Sequence, residues 1–208
     1  MPIDRSGVVP ILVFVVIAVV ALSVGALITG TLLLASALFL AYFFRDPHRE
    51  PGDVPPNAVL AAADGRVVSA GPGLGPDDRQ WNIVSVFLSP FDVHVNRISA
   101  DGRVHRVAYV KGRFRPTWLS GSLSANSHND VWINHGGQDI VLRQIAGVVV
   151  RRIECRVSPG QNVASGQRYG IMKFGSRLDV FLPMNSTLAV SSGQRVTAGR
   201  TVIAQLVK

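Results

Sequence analysis

The chain changes character once along its length. Residues 6–44 contain no charged side chain and are dominated by Val, Leu, Ile, Ala and Phe, whereas beyond residue 50 short runs alternate apolar and polar positions between Gly, Pro, Asn and Asp turns. About 20 apolar residues suffice to cross the roughly 30 Å hydrocarbon core of a bilayer as a helix, so the first pattern predicts a membrane anchor within residues 1–50. Its polar, glycine-bearing centre (Ser23, Gly25, Thr29, Gly30, Thr31) predicts a bend between residues 8–22 and 32–44, and hence a helical hairpin. A secretory signal peptide is the competing reading, drawn from Arg5 and the small-x-small Ala35-Ser36-Ala37. The apolar run outlasts a signal's and continues past the would-be cut, which favours an uncleaved anchor.

The alternating runs at residues 65–69, 82–88, 102–109, 130–134, 139–145 and 148–157 predict strands. No sustained helical period follows the anchor, so residues 51–208 are expected to form one mainly β domain, a compact sandwich or partly closed barrel with a short helix or turn near 89–96. One repeat is visible: Pro159-Gly160-Gln161-Asn162-Val163-Ala164-Ser165-Gly166 matches Ser192-Gly193-Gln194-Arg195-Val196-Thr197-Ala198-Gly199 in Gly, Gln, Val and the second Gly. Two glycine-bounded turns around a buried valine resemble the half-repeats of biotinyl and lipoyl domains, which are flattened β-sandwiches of quasi-twofold symmetry. In those carriers the intervening segment presents a modified lysine. Lys173 carrying biotin or lipoate is therefore the alternative reading, a membrane-tethered binding module.

Charge narrows the partners. The net charge of +8 lies almost wholly outside the anchor, and a basic domain beside a membrane suits anionic phospholipid. Nucleic acid is not expected, because no dense Lys/Arg cluster is interleaved with aromatics. The single cysteine, Cys155, excludes an internal disulfide and a multi-cysteine metal site, and no metal is expected.

Between the repeated turns stands Gly170-Ile171-Met172-Lys173-Phe174-Gly175-Ser176. A Gly-Ser pair can cleave itself. Glycine tolerates strained dihedrals and leaves its carbonyl unobstructed, and the serine hydroxyl can attack that carbonyl in an N-to-O acyl shift. β-Elimination of the resulting ester leaves dehydroalanine, whose hydrolysis gives a pyruvoyl group and ammonia.

The segment from Ile171 through Ser176 to Pro183 resembles the maturation region of the short, compact class of phosphatidylserine decarboxylases. Ordered matches extend the resemblance over nearly the whole chain: Phe43-Phe44-Arg45-Asp46-Pro47, Ala63-Asp64-Gly65, Leu88-Ser89-Pro90-Phe91-Asp92-Val93-His94-Val95-Asn96-Arg97 and Gln144-Ile145-Ala146-Gly147. The resemblance implies a proenzyme cut after Gly175 into residues 1–175 and 176–208, the two fragments staying together as a heterodimer. Ser176 becomes a covalent pyruvate, which binds the substrate amine as a Schiff base and converts phosphatidylserine to phosphatidylethanolamine and CO2. It also implies that Asp64 belongs to the maturation triad and that His94 assists decarboxylation as a proton donor.

In one place the chain departs from the larger homologues, which carry a second histidine where this chain has Arg97. Either His94 serves both steps or His105 or His128 supplies the cleavage base, and Arg97 either holds a substrate carboxylate or phosphate or is a surface arginine of a basic domain. Arg5, Arg45 and Arg49 favour a cell-membrane protein with both hairpin ends and the catalytic domain on the cytoplasmic face.

Overall fold

The apolar run forms two helices. In the computed structural model, which describes residues 2–112, 126–147, 153–173 and 176–207, α1 (Arg5–Ser23) begins at Asp4, whose carboxylate accepts from the Ser6 N–H at 3.0 Å. It ends before Gly25, at φ +80°, a left-handed value that glycine takes without strain. α2 (Leu27–Phe43) follows at once. The bend is tighter than expected, and Thr29, Gly30 and Thr31 lie inside α2. Gly30 serves packing instead of turning, since a Cβ there would come 2.5 Å from the Leu22 side chain. Outward positions such as Val9, Val16, Leu32 and Leu38 are exposed and apolar, as lipid-facing residues are. α1 is long and apolar enough to cross a membrane, and α2 is a shorter apolar helix. Residues Met1–His48 form one compact unit and Arg49–Lys208 a second.

In the second unit the alternating runs become strands: β1 (Ala58–Leu60), β2 (Gly65–Leu74), β3 (Gln80–Leu88), β4 (Val95–Arg97), β5 (Gly102–Val110), β6 (His128–His135) and β7 (Gln138–Ile145). The chain continues through β8 (Ile153–Cys155), β9 (Asn162–Val163), β10 (Arg168–Met172), β11 (Ser176–Leu182), β12 (Thr187–Leu188), β13 (Arg195–Val196) and β14 (Val202–Gln205). Part of the strand expected over 148–157 lies outside the described residues. The segment 89–96 is a turn running into β4.

Eight strands make one antiparallel sheet in the order β13-β2-β3-β11-β7-β6-β5-β9. Side chains alternate across a sheet, and the registers put Val84, Val86, Leu88, Val131, Ile133, Leu142, Leu178 and Val180 on one face, all buried in the main core. Two three-stranded sheets, β1-β14-β12 and β4-β10-β8, bring Val59, Tyr169, Met172 and Ile203 to that core. The opposite face carries Trp81, Trp132, Val141 and Phe181, together with the Arg143–Asp130 and Arg177–Asp179 ion pairs.

The repeated turns take the same conformation bond for bond. Gly160 and Gly193 have φ of +89° and +91°, and Gly166 and Gly199 have +77° and +70°. The Gly160 N–H donates to Val104 O (2.7 Å) and the Gly193 N–H to Val67 O (2.8 Å). β9 pairs with β5 as β13 pairs with β2. The partners are themselves repeated, because Ala63-Asp64-Gly65-Arg66-Val67 recurs as Ala100-Asp101-Gly102-Arg103-Val104. Gly65 and Gly102 are required by close approach: a Cβ would lie 2.0 Å from Phe87 O and 2.3 Å from Asn134 O. The eight-stranded sheet curls so that its two end strands approach, a Cβ on Gly199 lying 3.4 Å from the Gly166 Cα.

Candidate active site

Ser176 is the first residue of β11, a central strand hydrogen-bonded to β3 on one side and β7 on the other. Its register partner is Leu88, and it shares a face with Leu178, so its side chain belongs to the core side, where it is fully buried. Among the described residues its hydroxyl has no hydrogen-bond partner. An unmet buried polar group costs about 1–3 kcal/mol, so such groups concentrate where chemistry uses them. Gly175 lies outside the described residues.

His94 stands at the same end of the sheet. The segment between β3 and β4 leaves from Leu88, the partner of Ser176, and returns to His94, whose carbonyl accepts from the Met172 N–H at 3.2 Å. The turn is stapled by Asp92, which accepts from the Ser89 N–H (2.8 Å) and hydroxyl (2.7 Å). The His94 ring is fully buried, with Nδ1 2.9 Å from Asp92 O. A carbonyl can only accept, so Nδ1 carries the proton in that bond and Nε2 is the basic nitrogen of the neutral ring.

The other histidines are placed differently. His128 is paired through Ile145 to Arg177, which puts it on the face opposite Ser176. His105 lies 3.2 Å from Asp139 and against Trp132, also on the outer face. His135 lies at the far end of β6, beside Asp101. Of the histidines considered for the cleavage base, His94 alone is on the core side.

Asp64 precedes β2 at this end of the sheet, and its carboxylate is held. Arg49 Nη2 donates to Oδ2 at 2.7 Å, and the Ala198 N–H donates to Oδ1 at 2.8 Å. Asp64's side chain is 15% exposed, whereas its counterpart in the repeat, Asp101, is 73% exposed. The two halves differ most at this aspartate. Arg97 is not at the surface: it is buried, with Nη1 donating to Gly166 O at 2.9 Å, and its side chain lies against Gly199 in the seam between the repeated turns.

Sequence reasoning missed a buried amide cluster beside Ser176. Asn129 Nδ2 donates to Gln144 Oε1 (3.3 Å), and Gln144 Nε2 donates to Asn96 Oδ1 (2.8 Å). Gln144 pairs with Leu178, making it a diagonal neighbour of Ser176 on the same face. The signal available was a polar residue at an inward position of an alternating strand. Tyr169 on β10 is fully buried, and its phenol is pushed well above its ordinary value by burial and, to a smaller extent, by Cys155 and Asp130.

A family model described as phosphatidylserine decarboxylase matches residues 36–204. A phosphatidylserine decarboxylase proenzyme of Cupriavidus taiwanensis is 44% identical over 172 residues, covering 81% of this chain and 79% of that protein. Proteins of the same name from Prosthecochloris aestuarii (40% identical; 83% and 80% covered) and Nitrosomonas europaea (43%; 81% and 79%) match similarly. Proenzyme names do not favour the carrier reading.

Proposed function

The chain belongs to the phosphatidylserine decarboxylase family, and from that premise we propose that it cuts itself between Gly175 and Ser176, converts residue 176 to a pyruvoyl group and decarboxylates phosphatidylserine to phosphatidylethanolamine. The reading is supported above all by one observation: the Ser176 hydroxyl is fully buried without a partner among the described residues, at the start of a strand flanked by β3 and β7.

Self-cleavage uses the chain's own groups. His94 Nε2 takes the Ser176 proton, Nδ1 being committed to Asp92 O, and the hydroxyl oxygen attacks the preceding carbonyl. Asp64 is the maturation carboxylate at the same end of the sheet, fixed by Arg49 and Ala198 and mostly covered where Asp101 is exposed, while Asp92 O holds the His94 ring. After the cut, residues 176–208 stay bound to 1–175 as a heterodimer, because β11 lies between two strands of the large fragment.

The site suits a pyruvoyl group. Residue 176 itself becomes the group, which loses the hydroxyl oxygen and leaves a methyl on a face shared with Leu88 and Leu178. When formed, it supplies an electron sink for loss of CO2 from an amine-bearing substrate. His94, held at the same end of the sheet, returns a proton to the carbon that has lost CO2. The paired turns support reading the domain as built on biotinyl- and lipoyl-like half-repeats. The α1–α2 hairpin anchors the protein in the cell membrane, the basic domain facing anionic lipid on the cytoplasmic side.

Vesicles containing phosphatidylserine test this reading. The purified chain is expected to release CO2 and accumulate phosphatidylethanolamine, and the Ser176→Ala variant to do neither. Equal turnover by the two proteins would remove Ser176 from the chemistry.

A further inference from the structure

Fully buried groups that lack a hydrogen-bond partner among the described residues include Ser176 Oγ, Asn96 Nδ2, Ser99 Oγ and Tyr169 OH. Asn96 differs from Ser99 and Tyr169 because its amide belongs to a hydrogen-bonded set. Asn129 donates to the Gln144 oxygen, so Gln144 must present its NH2 to Asn96. Asn96 must then turn its oxygen to Gln144, which leaves its own NH2 directed elsewhere. Gln144 is the diagonal neighbour of Ser176 on the core face, and β4, which carries Asn96, runs alongside β10 just before Ser176. An oriented donor and an orphan nucleophile thus lie in one buried region with no hydrogen bond between them. Acyl transfer requires this arrangement, with the donor kept for a third atom that lies near both.

We infer that Asn96 Nδ2 is the oxyanion donor for self-cleavage, resting on the proposed cut at Ser176, and that Gln144 and Asn129 are positioning residues acting through it. In the step concerned, the Ser176 Oγ–H proton passes to His94 and an Oγ–C bond forms to the residue 175 carbonyl carbon. The C=O π pair moves onto the oxygen, which takes the Asn96 hydrogen bond. Collapse restores the carbonyl and breaks the C–N bond, the 176 nitrogen taking back the proton. Donors fixed in advance on a developing oxyanion in a water-poor site are typically worth about 100-fold or more in rate.

Two variants separate the donor from mere bulk. Asn96→Asp keeps the shape and the oxygen that faces Gln144 but removes the donor. Gln144→Glu leaves Asn96 intact while its second carboxylate oxygen accepts the Asn96 NH2, turning the donor away from the site. Each is synthesised as the full chain, and the appearance of fragments 1–175 and 176–208 is followed with time by denaturing electrophoresis, alongside thermal melting and ester trapping with hydroxylamine. Asn96→Asp is expected to cut about 100-fold more slowly with little trappable ester, and Gln144→Glu to slow in the same direction, with melting behaviour close to that of the unprocessed Ser176→Ala chain. Cutting at the wild-type rate by a folded Asn96→Asp or Gln144→Glu chain overturns the assignment. Slow cutting accompanied by ester accumulation also overturns it, because the lesion then follows the acyl shift. Fragments from Ser176→Ala would instead overturn the proposed cut itself.

Discussion

At the scale of single residues, the site is defined by which polar groups are buried and which way they face. Nδ1 of His94 is tied to a carbonyl, so substitution by Gln removes the proposed base while leaving a donor that can reach Asp92 O. His94→Gln is expected to slow fragment formation about 100-fold or more on a gel time course, whereas His105→Gln, altered on the outer face, should cut at the wild-type rate. Tyr169 makes a separate prediction. Burial holds its phenol neutral beyond the ordinary pKa near 10, so above that pH the unfolded chain loses a proton that the folded chain keeps. The contribution to stability is therefore complete below about pH 10 and declines as pH rises through the raised folded value. Tyr169→Phe should leave neutral-pH stability unchanged or raise it by about 1 kcal/mol, since no partner is lost, and should flatten the alkaline decline in a melting series.

At the scale of elements, the proposed function gives β11 both the cut and the hold on the small fragment. Behind Ser176, Arg177 faces the outer side, where Nε meets Asp179 (2.6 Å) and Nη2 donates to the Ser85 hydroxyl on β3 (2.6 Å), with side chains only 11% and 6% exposed. Removing one partner of a buried pair leaves an uncompensated charge and costs about 3–5 kcal/mol, while replacing the arginine by a long apolar chain costs less. Asp179→Ala should therefore lower stability by about 3 kcal/mol and exceed the loss in Arg177→Met by chemical denaturation in detergent. The long strands were legible in the sequence because period-two alternation is strong in β2, β3, β5, β6 and β7. β11 is less legible: Leu178, Val180 and Leu182 alternate with Asp179 and Phe181, but the run opens directly on Gly175-Ser176 and mixes apolar residues on both faces. The bend of the hairpin was placed too broadly for a physical reason: a glycine at close helix packing and a glycine at a turn look alike in one dimension, and Gly30 is the former while Gly25 is the latter.

At the scale of the whole molecule, a self-cleaving reading needs the catalytic end to be assembled before the chain is cut. The fold meets that need by bringing distant segments together through one curled sheet. Ser176, His94 and Asp64 were readable as residue types in short motifs, but their company was not. Arg49, the Asn96–Gln144–Asn129 chain and the buried place of Arg97 follow only from registers and from the paired repeats at 63–67 and 100–104, since contacts between residues far apart in sequence leave no local pattern. Intact mass under denaturing conditions tests the account most directly, comparing the wild-type chain with Ser176→Ala. Two wild-type species are expected, residues 1–175 and a 176–208 fragment blocked at its start by a pyruvoyl group, against one uncut Ser176→Ala chain. A single full-length mass from folded wild-type protein would contradict the account.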